Sequence, residues 1–221
     1  MICALPNRLK AIADLINQVD LVADVGTDHG LLPIYLIQNQ IAKKVYASDI
    51  AILPLNKAKE NIAKYGLNEK IYPILSDGLK AIPFDVEVVV IAGMGGHLIA
   101  NIIQHRQVNY PTLILQANSH VEILRKELMN ASYEIVNEKI VLDKGKYYEI
   151  IKAQISSKKI NYSDIDLKYG PILLQNKDDL FIKKYKTILH QYETILKELN
   201  KDSNDFYTIK NKIQEIRKIM S

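Results

Sequence analysis

Apolar and polar positions follow two different spacings along the first 155 residues of the chain. Short apolar runs ending in glycine or polar residues predict buried strands, whereas apolar residues three and four positions apart predict helices. The predicted helices are 8–18, 31–40, 51–65, 98–104 and 122–130. The predicted strands are 21–25, 44–48, 71–75, 86–92 and 112–116, followed by a β-hairpin of 133–142 and 147–155. This alternation predicts an α/β fold with a mostly parallel sheet covered on both faces, and the most apolar run, 86–92, as its central strand.

The hydrophobic pattern changes after a weakly patterned connector at 156–176. Apolar residues then repeat at alternating intervals of three and four in two segments, which are separated by the turn-rich hexapeptide 200–205. The repeating positions are Ile182, Tyr185, Leu189, Tyr192, Leu196 and Leu199, then Phe206, Ile209, Ile213, Ile216 and Met220. We expect two antiparallel helices packed as a short coiled-coil hairpin. The sequence thus predicts two domains, 1–157 and 158–221.

Positive charge is concentrated toward the C-terminus. Residues 151–221 hold 14 lysines and arginines against 9 aspartates and glutamates, a net charge of +5. Residues 1–150 hold 15 against 16, a net charge of −1. A basic C-terminal segment suits a polyanionic partner such as RNA, and on charge alone a solvated lysine-rich surface explains it equally well.

Several function classes are disfavoured by what the sequence lacks. No apolar run reaches the roughly 18–20 residues needed to span a bilayer. The first ten residues lack the apolar segment of a signal peptide. The single cysteine, Cys3, has no metal-ligand spacing around it. We therefore expect a cytoplasmic protein without a membrane segment or a bound metal, and a monomer.

The loop after the first predicted strand is the first candidate for chemistry. It has glycines at 26 and 30, a G-x-x-x-G spacing, where a dinucleotide-binding loop has G-x-G-x-x-G. It also carries two carboxylates, Asp24 and Asp28. Carboxylates repel a pyrophosphate but attract an ammonium group, such as the one in the amino-acid half of S-adenosylmethionine. The loop therefore favours that ligand over a dinucleotide.

Acids also follow the next two predicted strands. Asp49 is placed to accept hydrogen bonds from both ribose hydroxyls, and Asp77 from the exocyclic amine of adenine, with Ile50 against the ring. The alternative is that both acids cap the helices after them. Three acids at successive strand ends point to a nucleoside ligand. The predicted cofactor-binding residues are Asp24, Gly26, Thr27, Asp28, His29, Gly30, Asp49, Ile50, Ser76, Asp77, Gly78 and Gly93.

Three glycines occur within the four residues 93–96, directly after the strand predicted to be central. Glycine allows a ligand to approach the backbone closely, so this loop predicts contact with a cofactor or an inserted base. The alternative is a bare turn before the next helix.

Taken together, these motifs resemble the bacterial tRNA (adenine-22)-N1-methyltransferase family. The matching segments are 24–30, 32–34, 47–50, 76–79, 91–96 and 115–118. The resemblance implies a seven-stranded class I (Rossmann-like) methyltransferase domain, a C-terminal coiled-coil appendage, S-adenosylmethionine as cofactor, and methylation of tRNA at N1 of adenine 22 in the D-arm. Ala117 departs from the proline expected there. The Asn/Asp-Pro-Pro-aromatic motif of amino-group methyltransferases is absent, and residues 93–96 occupy its position.

Methyl transfer to N1 of a neutral adenine needs no strong general base, because that nitrogen already carries a lone pair. Alignment and exclusion of water then supply much of the rate. Asp28 is a candidate for stabilising the cationic product or orienting the 6-amino group, and His29 either serves the same site or holds the loop. The candidate catalytic residues are Asp28, His29, Gly93 and Met94.

Basic residues are the candidates for gripping tRNA phosphates. We predict contacts from Arg125, Lys183, Lys184, Lys186, Lys210 and Arg217, with Lys197, Lys212 and Lys218 as further candidates. A salt bridge is the alternative for Arg125, and a solvated helix face is the alternative for the lysines. Three other functions stay open: an NAD oxidoreductase, a methyltransferase for small molecules or proteins, and a cofactor sensor with a dimerising hairpin.

Overall fold

The computed structural model describes residues 3–221. The chain forms two compact units, one ending at Ile172 and the other spanning Leu173–Ser221. This boundary lies later than the one predicted at 157/158, because the connector is bonded to the sheet unit. Arg125 Nη1 donates to the carbonyl of Leu167 at 3.1 Å, and the Ile135 N–H donates to the Tyr162 hydroxyl at 2.8 Å.

The first unit contains a seven-stranded mixed sheet with the order β3-β2-β1-β4-β5-β7-β6. Its strands are β1 (Val19–Val25), β2 (Ala42–Asp49), β3 (Ile71–Leu75), β4 (Val88–Met94), β5 (Thr112–Ala117), β6 (Tyr133–Asp143) and β7 (Lys146–Ile155). Strands β1 to β5 pair in parallel, and β7 runs antiparallel to both β5 and β6. The predicted α/β class, the central strand and the terminal hairpin are confirmed.

Alternate residues of β4 face opposite sides of this sheet. Val88 and Val90 belong to one apolar cluster, and Val89 and Ile91 belong to the other. All four side chains are nearly inaccessible to solvent. A strand covered on both faces reads as a continuous apolar run, which explains why 86–92 is the most hydrophobic segment.

Helices cover the two faces of the sheet. They are α1 (Asn7–Ala13), α2 (Leu31–Gln38), α3 (Ile52–Lys64), α4 (Gly96–Gln104) and α5 (Val121–Asn130). Two short helices, α6 (Asp164–Tyr169) and α7 (Pro171–Asn176), follow β7 along the chain. Helix α1 ends five residues before its predicted end, because Leu15 and Ile16 bond to carbonyls three residues back and stay buried. Helices α6 and α7 were not predicted. A capping box between Ser163 and Asp166 starts α6 and is the local signal for it.

The second unit contains a pair of helices, α8 (Asp179–Glu198) and α9 (Asn204–Met220). Asp178 caps α8 and Ser203 caps α9, each accepting a backbone N–H three residues later. Arg217 of α9 pairs with Glu193 of α8 at 2.8 Å. The predicted helical hairpin is confirmed, and supercoiling of the two helices stays a prediction. Within 3–221, no helix has the length and apolar character needed to cross a membrane.

Candidate active site

The carboxyl ends of β1 to β4 open onto a cleft of about 500 Å³. A cleft at this end of a parallel sheet is the usual ligand site of α/β folds, and its volume suits a ligand of nucleoside size. Most of the predicted cofactor and catalytic residues line it: Asp24, Gly26, Thr27, Asp28, His29, Asp49, Ile50, Ser76, Asp77, Gly93 and Met94. Two predicted residues, Gly30 and Gly78, do not line it and instead turn the backbone beside Ala58 and Ile102.

Asp24 is the most unusual charge in the cleft. Its side chain is buried at the end of β1, and no described residue forms an ion pair with it. Burial is the largest cause that raises the pKa of Asp24 to about 6, and the charge of Asp49 contributes to this rise. The neighbouring Thr27 offsets part of this rise, although its buried hydroxyl makes no hydrogen bond of normal geometry within residues 3–221. A buried carboxylate without a protein cation suits a ligand that brings a positive charge.

Asp49 lies at the end of β2, and its carboxylate accepts hydrogen bonds from two loops around the cleft. Its Oδ1 accepts the Ala51 N–H at 2.9 Å, and its Oδ2 accepts the Asp28 N–H at 3.4 Å. Ala51, not Asp49, occupies the N-cap position of α3. The helix-cap alternative therefore fails for Asp49.

Asp77 follows β3 and also fails to cap a helix, because turns follow it as far as Pro83. Its carboxylate pairs with Lys80, and both side chains are largely exposed. Ser76 is buried, and its hydroxyl donates to the Gly78 carbonyl and accepts the Ala81 N–H, which fixes the turn. Ile50 lines the cleft with 69% of its surface exposed, as a residue that covers a flat ligand would.

The glycine-rich loop after β4 serves two purposes. A Cβ at Gly96 would lie 2.2 Å from the His120 carbonyl oxygen, so glycine lets α4 begin directly against the loop after β5. A Cβ at Gly26 would lie 2.2 Å from the end of the Met94 side chain, which brings the β1 and β4 loops together. These glycines therefore have packing roles within the protein, and contact of this loop with a cofactor or an inserted base stays a prediction.

Three residues that were not among the predicted site residues form a hydrogen-bond network around Gly93. The buried Gln116 accepts hydrogen bonds at Oε1 from Arg8 and from the Gly93 N–H. Gln116 Nε2 donates to Asn118, and Asn118 Nδ2 donates to the Gly93 carbonyl at 2.6 Å. The 115–118 motif marked Gln116 and Asn118, but Arg8 lies 108 residues away from Gln116 and no local pattern indicates it.

Asp28 and His29 lie beside each other at the cleft. The His29 Nε2 is 3.6 Å from the Asp28 carboxylate, and both side chains are more than half exposed. Asp28 has a positive φ of 52°, and the His29 carbonyl accepts a 2.9 Å bond from Asn61. The backbone of this pair is therefore held while both side chains remain accessible to a second molecule.

The structure contradicts the prediction that Arg125 contacts tRNA. Its guanidinium is fully buried and pairs with Glu138 at 2.8 Å and with Glu149. Burial lowers the pKa of Arg125, but the two glutamates more than offset this and raise it. The salt-bridge alternative is confirmed, and Arg125 binds the β6–β7 hairpin and α6 to α5.

The basic residues of the hairpin differ in their availability. Lys183, Lys186 and Lys210 are exposed, and no ion pair involves their ammonium groups within residues 3–221. Lys184 lies 5.0 Å from the Tyr185 ring, and Arg217 pairs with Glu193. No group of three potential metal-ligating side chains was found among the described residues.

Comparisons with known proteins agree with this geometry. A model of the tRNA (adenine(22)-N(1))-methyltransferase family matches residues 22–219. The Bacillus subtilis protein of that name is 32% identical over 220 residues, which cover 96% of this chain and 92% of the relative.

Two solved structures match the chain along nearly its whole length. A Streptococcus pneumoniae protein in complex with S-adenosyl-L-methionine is 32% identical with a TM-score of 0.87, covering all of both chains. M. capricolum TrmK in complex with S-adenosyl-homocysteine is also 32% identical, with a TM-score of 0.86 and coverage of 98% of this chain and 97% of that chain. The chain therefore belongs to the tRNA (adenine(22)-N(1))-methyltransferase family and is an enzyme that uses S-adenosylmethionine.

Proposed function

We propose that this protein methylates N1 of adenine 22 in the D-arm of tRNA by holding S-adenosylmethionine in the cleft at the ends of β1 to β4. The single observation that carries the cofactor site is Asp24, a buried carboxylate facing a nucleoside-sized cleft without a cation from the described residues. The target position follows from membership of the family. A ligand with an ammonium group and a sulfonium supplies the missing positive charge.

The residues present fit this cofactor. Asp24 would hold the ammonium group, Asp49 the ribose hydroxyls and Asp77 the exocyclic amine of adenine, while Ile50 would cover the ring. The buried Thr27 hydroxyl, which lacks a partner among residues 3–221, is a further contact for the amino-acid half. When bound, the cofactor supplies an electrophilic methyl group on a sulfonium.

The chain's own contribution to the reaction is alignment and electrostatics. The target base would enter beside Gly93 and Met94. Hydrogen bonds hold Gly93, and Met94 packs closely against Gly26, so this part of the cleft has a fixed shape. Asp28 and His29 are exposed beside it and can orient the 6-amino group of the target base. The negative charge of Asp28 also favours the cationic methylated base over the neutral one.

The exposed lysines of the hairpin, Lys183, Lys186 and Lys210, supply the grip on the tRNA backbone in this proposal. Lys184 and Arg217 have partners within the hairpin and would contribute less. We further propose that the protein acts as a monomer in the cytoplasm, where its substrate is found.

Labelled S-adenosylmethionine and two unmodified tRNA transcripts test the activity. One transcript carries adenine 22 and the other carries guanine there. We expect label in the first transcript alone, in the N1-methyladenosine fraction after digestion. Equal labelling of both transcripts would contradict the position, and labelling of small molecules or protein without RNA would favour a different methyltransferase.

A further inference from the structure

We infer that Arg8 binds the carboxylate of the amino-acid half of S-adenosylmethionine. This inference rests on the proposed function and adds to it a binding residue that lies outside the motifs 24–30, 32–34, 47–50, 76–79, 91–96 and 115–118. Arg8 is the one lysine or arginine among the described residues that line the cleft.

Arg8 is held in a defined orientation although it comes from the short helix α1. Its Nη1 donates to the buried Gln116 Oε1, and its guanidinium carbon lies 5.5 Å from the centre of the Tyr148 ring. These contacts join α1 to β5 and β7. A guanidinium fixed by a hydrogen bond and a ring loses little freedom when it binds a ligand, and it has five N–H groups to share.

The orientation of the Gln116 amide places its oxygen, and not its NH₂ group, toward Arg8. Gln116 Oε1 already accepts the Gly93 N–H at 3.2 Å, and Gln116 Nε2 donates to Asn118 at 3.1 Å. If the Gln116 amide were reversed, its NH₂ group would face the N–H donors of Arg8 and Gly93, so that orientation is disfavoured. Gln116 thus anchors one end of the guanidinium and leaves other N–H groups for a ligand in the cleft.

The charges of the cleft explain why a carboxylate needs Arg8. Asp24, Asp28 and Asp49 all lie in the cleft and would repel a ligand carboxylate. The ligand's ammonium and carboxylate groups are attached to the same carbon atom, so their protein partners must lie close together. Asp24 lies near the end of β1, and Arg8 lies over Gly93 near the end of the adjacent strand β4. Arg8 and Asp24 therefore form a cation–anion pair of sites for a zwitterion.

A pair of ligands separates this role from a general effect on the cleft. S-adenosylhomocysteine contains the carboxylate, and its decarboxylated analogue keeps the ammonium and the nucleoside. Calorimetry gives the dissociation constant of each for the full-length wild type, Arg8→Gln and Arg8→Lys. We expect Arg8→Gln to weaken S-adenosylhomocysteine binding about 10- to 100-fold and to change binding of the analogue less than about threefold. Arg8→Lys keeps the positive charge, and its affinity for S-adenosylhomocysteine should lie between those of the wild type and Arg8→Gln.

Arg106 provides a matched control, because it also stacks on a tyrosine, 5.4 Å from the Tyr133 ring, but does not line the cleft. Arg106→Gln should leave the ratio of the two dissociation constants unchanged. An equal loss of both ligands in Arg8→Gln would overturn the inference, as would no loss of either. Retained S-adenosylhomocysteine affinity with reduced tRNA affinity would also overturn it and assign Arg8 to a tRNA phosphate. If the wild type bound neither ligand, the proposed function itself would fail.

Discussion

Arg125 and Asp24 are both buried in the sheet unit, and they differ in whether the described part of the protein supplies the opposite charge. Arg125 is surrounded by Glu138 and Glu149 and by backbone carbonyls of the α6 segment. Asp24 is buried at the cleft without a cation from residues 3–221. Removing one partner from a buried ion pair leaves the other charge uncompensated, which destabilises the fold, whereas a buried charge without a protein partner is available for a ligand.

The largest effect should come from removing Arg125. Arg125→Met leaves Glu138 and Glu149 buried without their cation and should lower the free energy of unfolding by about 3–5 kcal/mol. Burial raises the pKa of Glu138 and Arg125 partly offsets the rise, so losing Arg125 lets this pKa rise further. The glutamates then take up protons as the pH falls, and the destabilisation should shrink toward pH ~5.

Urea unfolding at several pH values measures how much free energy of unfolding Arg125→Met loses. The exposed pair Arg217–Glu193 is the control, and Arg217→Met should cost less than about 1 kcal/mol. A cost for Arg125→Met as small as that of the control would mean that the buried network is not structural.

Removing the charge of Asp24 should have the opposite effect on stability. The unfolded chain releases the Asp24 proton near pH 3.8, but the folded protein holds it up to about pH 6. The free energy of unfolding therefore falls as the pH rises through this window and stays lower above it. Asp24→Asn should raise it by about 1–3 kcal/mol at pH 7–8.

The same substitution should weaken S-adenosylhomocysteine binding at least ~30-fold, because the ammonium group loses a buried charged partner. Thermal unfolding with and without the ligand measures both effects. If Asp24→Asn were less stable than the wild type yet bound S-adenosylhomocysteine normally, Asp24 would be a structural residue and not a ligand-binding one.

Substitutions in the helical hairpin should have a smaller effect, and this effect should be on tRNA binding. Replacing Lys183, Lys186 and Lys210 together by Gln should weaken tRNA binding by about tenfold and reduce its salt dependence, without changing cofactor affinity. Lys59, Lys64 and Lys70 of the sheet unit are also exposed, and their triple Gln variant removes the same charge. Filter binding at several salt concentrations compares the two variants. Equal losses would mean that net charge, not the hairpin, attracts the tRNA.

The sequence predicted those features that follow from the order of the strands and helices. Asp24, Asp49 and Asp77 could be placed at one cleft because parallel strands end at the same edge of a sheet. The sequence could not show which charges find partners. Arg125 meets glutamates 13 and 24 residues away, and Arg8 meets Gln116 across 108 residues. Such pairs depend on how helices pack against the sheet, which hydrophobic spacing does not specify.

If Asp24 holds its charge for a cationic ligand, the affinity for that ligand must depend on pH near the pKa of Asp24. Calorimetry of S-adenosylhomocysteine with the wild type and Asp24→Asn between pH 5 and 8 is the measurement. The ligand's positive charge lowers the pKa of Asp24 from about 6, so the wild-type affinity should fall below pH ~6, with proton release on binding. Asp24→Asn should bind weakly and without this dependence. The same pH profile in both proteins would mean that Asp24 does not bind the positive charge of the ligand.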